Sequence, residues 1–194
     1  MAKGFDTTAN CSDSAAAIAA AGYDFVGRYL SRSSWKVISA AEAAALNGAG
    51  LSVVLVYEDG PTANSYFSQD RGTSDGIRAA QQAAAIGAPA GTTLYFAVDY
   101  DASAADLAGP ITAYFQGIAS TPTAFQIGVY GSGATCSAIT GAGLAGMGWL
   151  ACAKGWAGYA GYLPAASIVQ GLPTTVLGLS VDPDTGNGTY GGFP

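Results

Sequence analysis

The sequence contains no histidine in 194 residues, and this absence excludes several kinds of active site. Ser-His-Asp and Cys-His nucleophilic sites, HExxH zinc sites and most histidine-based metal sites cannot be built from this chain. Acid and base chemistry must therefore fall to carboxylates, tyrosines or lysines. Glutamate is also scarce, since Glu42 and Glu58 are the only two, so the position of each acid is informative.

Charged residues make up only 10% of the chain, and seven Lys and Arg stand against 13 Asp and Glu. The formal net charge of −6 and a hydrophobic content of 50% are typical of an acidic globular protein. Seven scattered basic residues cannot neutralise a run of phosphates, so we expect no nucleic-acid partner. The length suits one domain over residues 1–194, which we expect to be monomeric.

Cysteines number three, Cys11, Cys136 and Cys152, and no CxxC spacing occurs. This argues against a zinc ribbon and a disulfide framework, although one disulfide plus a free thiol stays open. No apolar run reaches 18 residues, and the N-terminus lacks the apolar segment of a secretory signal. We therefore expect a soluble protein without membrane contacts, made in the cytoplasm.

The first 144 residues alternate short β-branched or aromatic runs with Ala-rich stretches of helical spacing, which is typical of parallel α/β proteins. The predicted strands are residues 3–6, 25–30, 52–58, 93–99 and 126–130. The predicted helices are residues 13–21, 39–47, 74–86, 103–119 and 132–144. Ser39 followed by Glu42 indicates a capping box, and Gly22, Gly50 and Gly87 stand just past three helices.

After residue 145 the strand-like segments 149–153, 167–170 and 179–182 follow one another without helical periodicity. Five βα units and three further strands predict an α/β fold, a (β/α)8 TIM-like barrel with its last helices reduced to loops. An open doubly wound sheet is the alternative. Its nucleotide-binding form would need a Gly-rich fingerprint after the first strand, and the sequence has none.

Acidic residues fall at the C-terminal ends of the predicted strands. They are Asp6 on the first strand, Glu58 on the third, Asp99 and Asp101 on the fourth and Asp182 on the last. In a (β/α)8 barrel these ends surround one mouth, where the active site lies. We therefore expect the five carboxylates to converge there.

Strand alternation refines this expectation, because side chains two residues apart share a face. It places Asp99 with Asp101, and Glu58 with Val54 and Val56. Arg28, on the second strand, is expected at the same mouth, either as a substrate contact or in an ion pair with Glu58 or Asp6.

A single aspartate after a strand is more often a helix cap or a turn residue than a catalyst. This interpretation suits Asp13, Asp24, Asp75 and Asp106. It suits Asp99 and Asp101 less well, because Ser103 is available as a cap.

A carboxylate cluster with aromatic neighbours is what glycosidic-bond cleavage requires. One protonated carboxyl donates to the leaving oxygen, and an ionised one acts as base, nucleophile or stabiliser of positive charge. Aromatic rings stack on sugar faces. The residues expected to contact substrate are Arg28, Tyr57, Tyr130, Trp149 and Trp156.

Several strings carry a family resemblance: Lys-Gly-Phe-Asp at the start, Phe-Val-Gly-Arg-Tyr-Leu, Leu-Val-Tyr-Glu, Leu-Tyr-Phe-Ala-Val-Asp-Tyr-Asp and the late Ser-Val-Asp. The chain resembles a bacterial and phage glycoside-hydrolase-like barrel family, long known as a domain of unknown function. More distantly it is similar to the family 25 lysozymes. The resemblance implies a reduced barrel and muramidase-type hydrolysis of peptidoglycan, with Asp6, Asp99, Asp101 and Asp182 on the acid positions of family 25.

One departure from family 25 concerns the fourth strand, where those lysozymes usually carry a DxE motif and this chain has Asp101. The shorter side chain withdraws the donor by more than an ångström, and misplacement on that scale can cost about 100-fold in rate. We expect Asp101 as general acid with Glu58 as the alternative, Asp6 and Asp99 as ionised stabilisers, and Asp182 in support.

Two functions remain open. One is a peptidoglycan hydrolase, such as a phage endolysin or an antibacterial effector, which reaches the periplasm or cell wall through a holin or a secretion machine. The other is a non-catalytic barrel that binds cell-wall glycan.

No metal or other cofactor is expected, because a chain with no histidine and no paired cysteines offers only carboxylates as ligands. Activity should therefore survive chelation. Loss of activity in EDTA, restored by an added cation, would contradict this prediction.

Overall fold

The computed structural model describes residues 1–194, and its strands follow the predicted ones closely. The strands are β1 Ala2–Asp6, β2 Phe25–Leu30, β3 Ser52–Tyr57, β4 Thr93–Ala97, β5 Gln126–Gly131, β6 Met147–Leu150, β7 Ile168–Gln170, β8 Thr174–Val176 and β9 Leu179–Gly186. The α-helices are α1 Ala15–Ala20, α2 Ala40–Gly48, α3 Gln69–Ala85, α4 Ala104–Asp106, α5 Thr112–Ala119, α6 Gly133–Gly141 and α7 Tyr159–Tyr162. No helix combines the length and apolar character needed to cross a membrane.

The sheet closes into an eight-stranded barrel. Strands β1 to β7 are parallel neighbours in sequence order, and β9 lies between β7 and β1. The β1–β9 pairing, with Asp6 opposite Asp182, excludes the open doubly wound sheet and confirms the barrel.

The eighth barrel strand differs from a regular (β/α)8 fold, because β9 is antiparallel to both of its neighbours. A parallel crossover needs a connection of a dozen or more residues, usually a helix. The chain instead turns back through β8, which was not predicted and pairs only with β9. The reduction of the last helices therefore also reverses the last strand.

Local capping signals explain where the helices begin. Helix α3 begins at Gln69 rather than at residue 74, because the Ser68 side chain accepts a hydrogen bond from the Arg71 amide at 3.2 Å. Ser39 caps α2 by accepting from the Glu42 amide at 3.1 Å. A capping box also needs a hydrogen bond from the Ser39 amide to the Glu42 carboxylate. This half of the prediction is wrong, because the Glu42 carboxylate accepts from Arg28 instead.

Two further helix predictions had different outcomes. The predicted helix 103–119 is interrupted by a π-helical segment, Leu107–Ile111, because Pro110 has no N–H to donate. Gly22, Gly50 and Gly87 adopt positive φ angles of 78°, 84° and 84° just past α1, α2 and α3. Their predicted role as helix terminators is confirmed.

Two clusters of buried apolar side chains lie on the two sides of the barrel wall. The larger one fills the space between the barrel and the helices. The inner one consists of Phe25, Val54, Val56, Tyr95, Ala97, Trp149 and Ile168. At the end of the barrel where the strands begin, Tyr190 stacks on Phe25 with ring centroids 4.6 Å apart, and Phe193 and Val53 exchange two backbone hydrogen bonds. The C-terminal segment thus covers that end.

Candidate active site

A cavity of about 200 Å³ lies at the carboxyl ends of the barrel strands. Its lining residues are Asp6, Tyr29, Val56, Glu58, Ala97, Asp99, Tyr130, Trp149, Cys152, Gln170, Pro173 and Asp182. Ligand pockets for drug-sized molecules measure roughly 300–1,000 Å³. The cavity is smaller, so it suits one sugar unit better than two.

Four of the five predicted acids line this cavity: Asp6, Glu58, Asp99 and Asp182. Asp6 is the last residue of β1 and faces Asp182 across the β1–β9 pair. Glu58 directly follows β3, and Asp99 lies two residues beyond β4. The predicted grouping of Glu58 with Val54 and Val56 is confirmed, since both valines belong to the interior cluster.

Asp6 is held at the base of the cavity by two hydrogen bonds. The Tyr29 hydroxyl donates to its Oδ1 at 2.7 Å, and the Gln170 amide donates to its Oδ2 at 2.8 Å. Gln170 is itself oriented, because its Oε1 accepts from the Tyr130 hydroxyl at 2.9 Å and from the Cys152 amide at 3.3 Å. Burial raises the pKa of Asp6 to about 7 against the lowering effect of these two donors.

The other cavity acids fall into two electrostatic environments. Burial, with the nearby charges of Glu58 and Asp182, raises the pKa of Asp99, and burial raises the pKa of Asp182. Neither side chain has a hydrogen-bond donor in the protein. Glu58 instead accepts a hydrogen bond from the Lys36 ammonium at 2.9 Å, which forms an ion pair. The cavity therefore presents acids with raised pKa values beside a carboxyl group that is paired with a lysine.

Two predicted aromatic contacts, Tyr130 and Trp149, do line the cavity. Their rings pack edge to face, with centroids 5.7 Å apart. The Trp149 indole N–H donates to Asp184 Oδ1 at 3.0 Å. The Trp149 ring is thus fixed by Tyr130 and Asp184 as part of the cavity wall.

Arg28 does not reach the mouth, and both its predicted substrate contact and its predicted pairing with Glu58 or Asp6 are wrong. It points outward from β2 and is 1% exposed. Its guanidinium makes a bidentate pair with Glu42 of α2, at 2.7 and 3.1 Å, and also donates to the Thr7 carbonyl. Alternation explains this, because the adjacent Tyr29 occupies the inward position.

Tyr57 is also outside the cavity, which corrects its predicted substrate contact. Its single hydroxyl proton is shared between Asp59 Oδ2 at 2.7 Å and Asp75 Oδ1 at 3.2 Å, in the layer between barrel and helices. Since Val56 points inward, the next residue must point outward. The interpretation of Asp75 as a cap or turn residue is wrong too, because it is a fully buried acceptor for three tyrosines, Tyr57, Tyr66 and Tyr114.

Asp101 and Trp156 lie on loops outside the cavity lining. Strand β4 ends at Ala97, so the expected alternation that paired Asp101 with Asp99 does not extend to this position. Asp101 is exposed, and its Oδ1 accepts from the Ala157 amide at 2.9 Å, which ties the loop after β4 to the loop that carries Trp156. Both residues lie on the loops that follow the carboxyl ends of β4 and β6, which we call the rim.

Sequence reasoning missed several residues that build the site. Tyr29, Lys36 and Gln170 position the carboxylates, and Asp184 lies buried beneath Asp6. For Asp184 a signal was present, since it stands two residues after Asp182 and therefore shares its face of β9. Gln170 and Lys36 carried no comparable signal, because their partners come from distant segments.

All three cysteines are free thiols, so the disulfide alternative is wrong. Cys11 and Cys136 are fully buried, while Cys152 is half-buried and lines the cavity. We expect a single thiol to react with iodoacetamide in the folded protein. The reaction should be slow, because burial and nearby carboxylates raise the pKa of Cys152.

Mass spectrometry of the alkylated protein tests this, with Cys152→Ser as the control that removes the label. Equal labelling of all three cysteines without denaturant would contradict the expected result.

No three acidic or thiol side chains are arranged to hold a metal ion. The absence of a metal requirement stays a prediction for the chelation experiment.

Comparison with known proteins connects this barrel to others. Two proteins of Bacillus subtilis (strain 168), both described as uncharacterized, are similar. YbfG is 39% identical over 158 residues, which is 73% of this chain and 22% of YbfG, and FadG is 33% identical over 161 residues, 78% of this chain and 28% of FadG. The chain therefore spans about a quarter of the length of these relatives.

Solved structures show the same barrel. The Tat-secreted protein Rv2525c of Mycobacterium tuberculosis, crystallised with L-tartrate, matches with a TM-score of 0.84 and 25% identity over 98% of both chains. An uncharacterized B. stearothermophilus protein matches with a TM-score of 0.70 and 20% identity over 96% of both chains. The family model of the Rv2525c-like, glycoside hydrolase-like domain matches residues 16–177, which include Glu58 and Asp99. The chain therefore belongs to the Rv2525c-like, glycoside hydrolase-like domain family.

Proposed function

We propose that the protein hydrolyses glycosidic bonds in peptidoglycan as a muramidase-like enzyme. The observation that carries this proposal is the cavity that four carboxyl side chains line, with Asp99 and Asp182 shifted toward protonation and Glu58 paired with Lys36. Cleavage of a glycosidic bond needs one protonated and one ionised carboxyl group. Membership of a glycoside hydrolase-like family supports the same reaction class.

Asp99 is the proton donor in this proposal, in place of the rim residue Asp101. It lines the cavity, its pKa is raised, and no protein donor occupies its oxygens. Asp99 gives its proton to the leaving glycosidic oxygen as the bond from that oxygen to the anomeric carbon breaks. The ionised Glu58 stabilises the positive charge that develops on the anomeric carbon. A water molecule then adds to that carbon and gives a proton to the Asp99 carboxylate, which restores the protonated donor.

The place of action forms part of the proposal. Rv2525c is described as Tat-secreted, and we propose that this chain also acts on the cell wall outside the cytoplasm. An endolysin and an antibacterial effector would use the same chemistry. We also propose that the protein acts as a monomer.

Digestion of purified peptidoglycan tests the proposal. The products are reduced with borohydride and hydrolysed, and the reduced amino sugar is identified. Reduced muramic acid is expected, because a muramidase exposes that sugar as the new reducing end. Reduced glucosamine would indicate a glucosaminidase, and the absence of new reducing ends between pH 4 and 8 would overturn the hydrolase proposal.

The placement of Asp101 favours a second candidate, a barrel that binds cell-wall glycan without cutting it. Asp101 falls on the donor position implied by the family 25 resemblance, yet it lies outside the cavity lining and bonds the Ala157 amide. Cosedimentation with purified cell walls without new reducing ends would support this candidate.

A further inference from the structure

Asp184 carries a buried oxygen that no protein donor reaches. The residue lies on β9 beneath the cavity and is 3% exposed. Its Oδ1 accepts from the Trp149 indole N–H at 3.0 Å, but no N–H or O–H group bonds its Oδ2. An ionised carboxylate with a bare buried oxygen is costly, because that oxygen loses its hydration without gaining a partner.

A second carboxyl group, that of Asp6, neighbours the Asp184 side chain. Strands β1 and β9 pair Gly4 with Asp184 and Asp6 with Asp182, so Asp6, Asp182 and Asp184 share the interior face. The carboxyl groups of Asp6 and Asp184 lie within hydrogen-bonding reach of each other. Two ionised carboxylates only accept, so this contact becomes a hydrogen bond when one of the two carries a proton.

The donors around the two groups decide which one carries it. Asp6 receives hydrogen bonds from Tyr29 and Gln170, one on each oxygen, and both favour its ionised form. Asp184 receives one, on Oδ1, and its Oδ2 is free to act as a hydroxyl. We propose that Asp184 is a positioning residue that keeps a proton on Oδ2 and donates it to Asp6, which makes Asp6 the ionised member of a buried acid pair.

The electrostatics agree with this arrangement. Burial and then the charge of Asp6 raise the pKa of Asp184 well above its usual range, while the pKa of Asp6 rises to about 7. The titratable groups that face Asp184 are Asp6, Asp182 and Tyr95. Besides Asp184, the titratable groups that face Asp6 are Tyr29, Glu58, Tyr130, Cys152 and Asp182. The nearby Lys36 forms an ion pair with Glu58.

The pair therefore titrates as one unit. Below a pH of about 7 both members are protonated and the pair is neutral, and above it Asp6 ionises and the pair carries one negative charge. The catalytic consequence rests on the proposed function: the negative charge of Asp6 would stabilise positive charge on the sugar, and Asp184 would act only through Asp6.

Carbon-13 NMR of the protein labelled at the aspartate carboxyl carbons tests the protonation directly and needs no turnover. We expect one of the 11 aspartate signals to keep the chemical shift of a protonated acid at pH values where Asp6 has already ionised. The wild-type protein suffices to detect this signal. Asp184→Asn should remove it, and Asp182→Asn, on the same face of β9, should leave it. Absence of such a signal, or its survival in Asp184→Asn, would overturn the proposal.

Two replacements then separate a proton donor from a packing residue. Asp184→Asn keeps a donor toward Asp6 and an acceptor for Trp149, so the Asp6 midpoint should move little. Asp184→Ala removes the donor and should raise the proton affinity of Asp6 about tenfold. A clear fall of the Asp6 midpoint in Asp184→Asn would show that Asp184 is normally ionised and would contradict the proposal. Because the NMR readout is independent of catalysis, failure of the hydrolase proposal would leave this test intact.

Discussion

Replacement of Asp99 by Asn is expected to lower peptidoglycan turnover by at least about 100-fold, the lower end of what a positioned proton-transfer group contributes. Asn fills the same space but has no acidic proton to give to the leaving oxygen. Glu58→Gln should cause a loss of similar size, because it removes the ionised carboxylate that Lys36 holds at the cavity. The release of new reducing ends from purified peptidoglycan measures both effects.

Asp101→Asn is the matched control, since it alters an acid two residues away at the rim. Its loss should stay below about tenfold, because the single hydrogen bond to the Ala157 amide is worth about 1 kcal/mol. A loss of 100-fold in Asp101→Asn, with normal turnover in Asp99→Asn, would return the donor role to Asp101.

The melting temperature of Asp99→Asn should stay level or rise at pH 7. The pKa of Asp99 is raised in the folded protein, so the folded state binds this proton more tightly than the unfolded chain does. Ionisation at neutral pH therefore costs folding free energy, and Asn removes that cost. A clear fall in melting temperature would show that the loss of turnover reflects damage to the fold.

Replacement of Arg28 by Met should lower the free energy of unfolding by about 3–5 kcal/mol, which is the cost of breaking a buried ion pair on one side. Arg28 is 1% exposed and Glu42 is fully buried, so the remaining carboxylate would lose its bidentate partner without gaining water. Urea unfolding followed by circular dichroism measures the change.

Two variants control this measurement. Arg78→Met removes an exposed arginine of α3 that makes no salt bridge, and should change the free energy of unfolding by less than about 0.5 kcal/mol. The double variant Arg28→Met, Glu42→Met should recover more than half of the loss, because no unpaired charge remains buried. If Arg28→Met were as stable as the wild type, the Arg28–Glu42 pair would contribute nothing to the stability of the fold.

The barrel could be predicted from the sequence because its signals are local. Short β-branched or aromatic runs followed by polar or glycine-bearing turns predicted the first five strands. The positions of Gly22, Gly50 and Gly87 marked three helix ends. Carboxylates at strand ends converge whenever parallel strands close into a barrel. Asp6, Glu58 and Asp99 therefore reached one cavity as expected. Asp182 reached the same cavity for another reason, because the antiparallel strand β9 places it opposite Asp6.

Alternation along a strand is also encoded in the sequence, and it sorts side chains between the two faces of the barrel wall. It grouped Glu58 correctly with Val54 and Val56, and the same parity places Tyr57 on the outer face. For Asp101 the pattern failed for a physical reason. Strand β4 ends at Ala97, and beyond that point no pleat dictates the direction of a side chain.

Only the tertiary structure decided which side chains meet. The direction of β9 follows from the lack of a crossover helix, and it brings Asp184 beneath Asp6 from the far end of the chain. The pairs Arg28–Glu42, Lys36–Glu58 and Gln170–Asp6 join different elements. The chain by itself determined the first seven strands, three helix ends and the acids that follow parallel strands, because these depend on neighbours in sequence. The partners that set the charge of each acid depend on closure of the barrel, which no local pattern encodes.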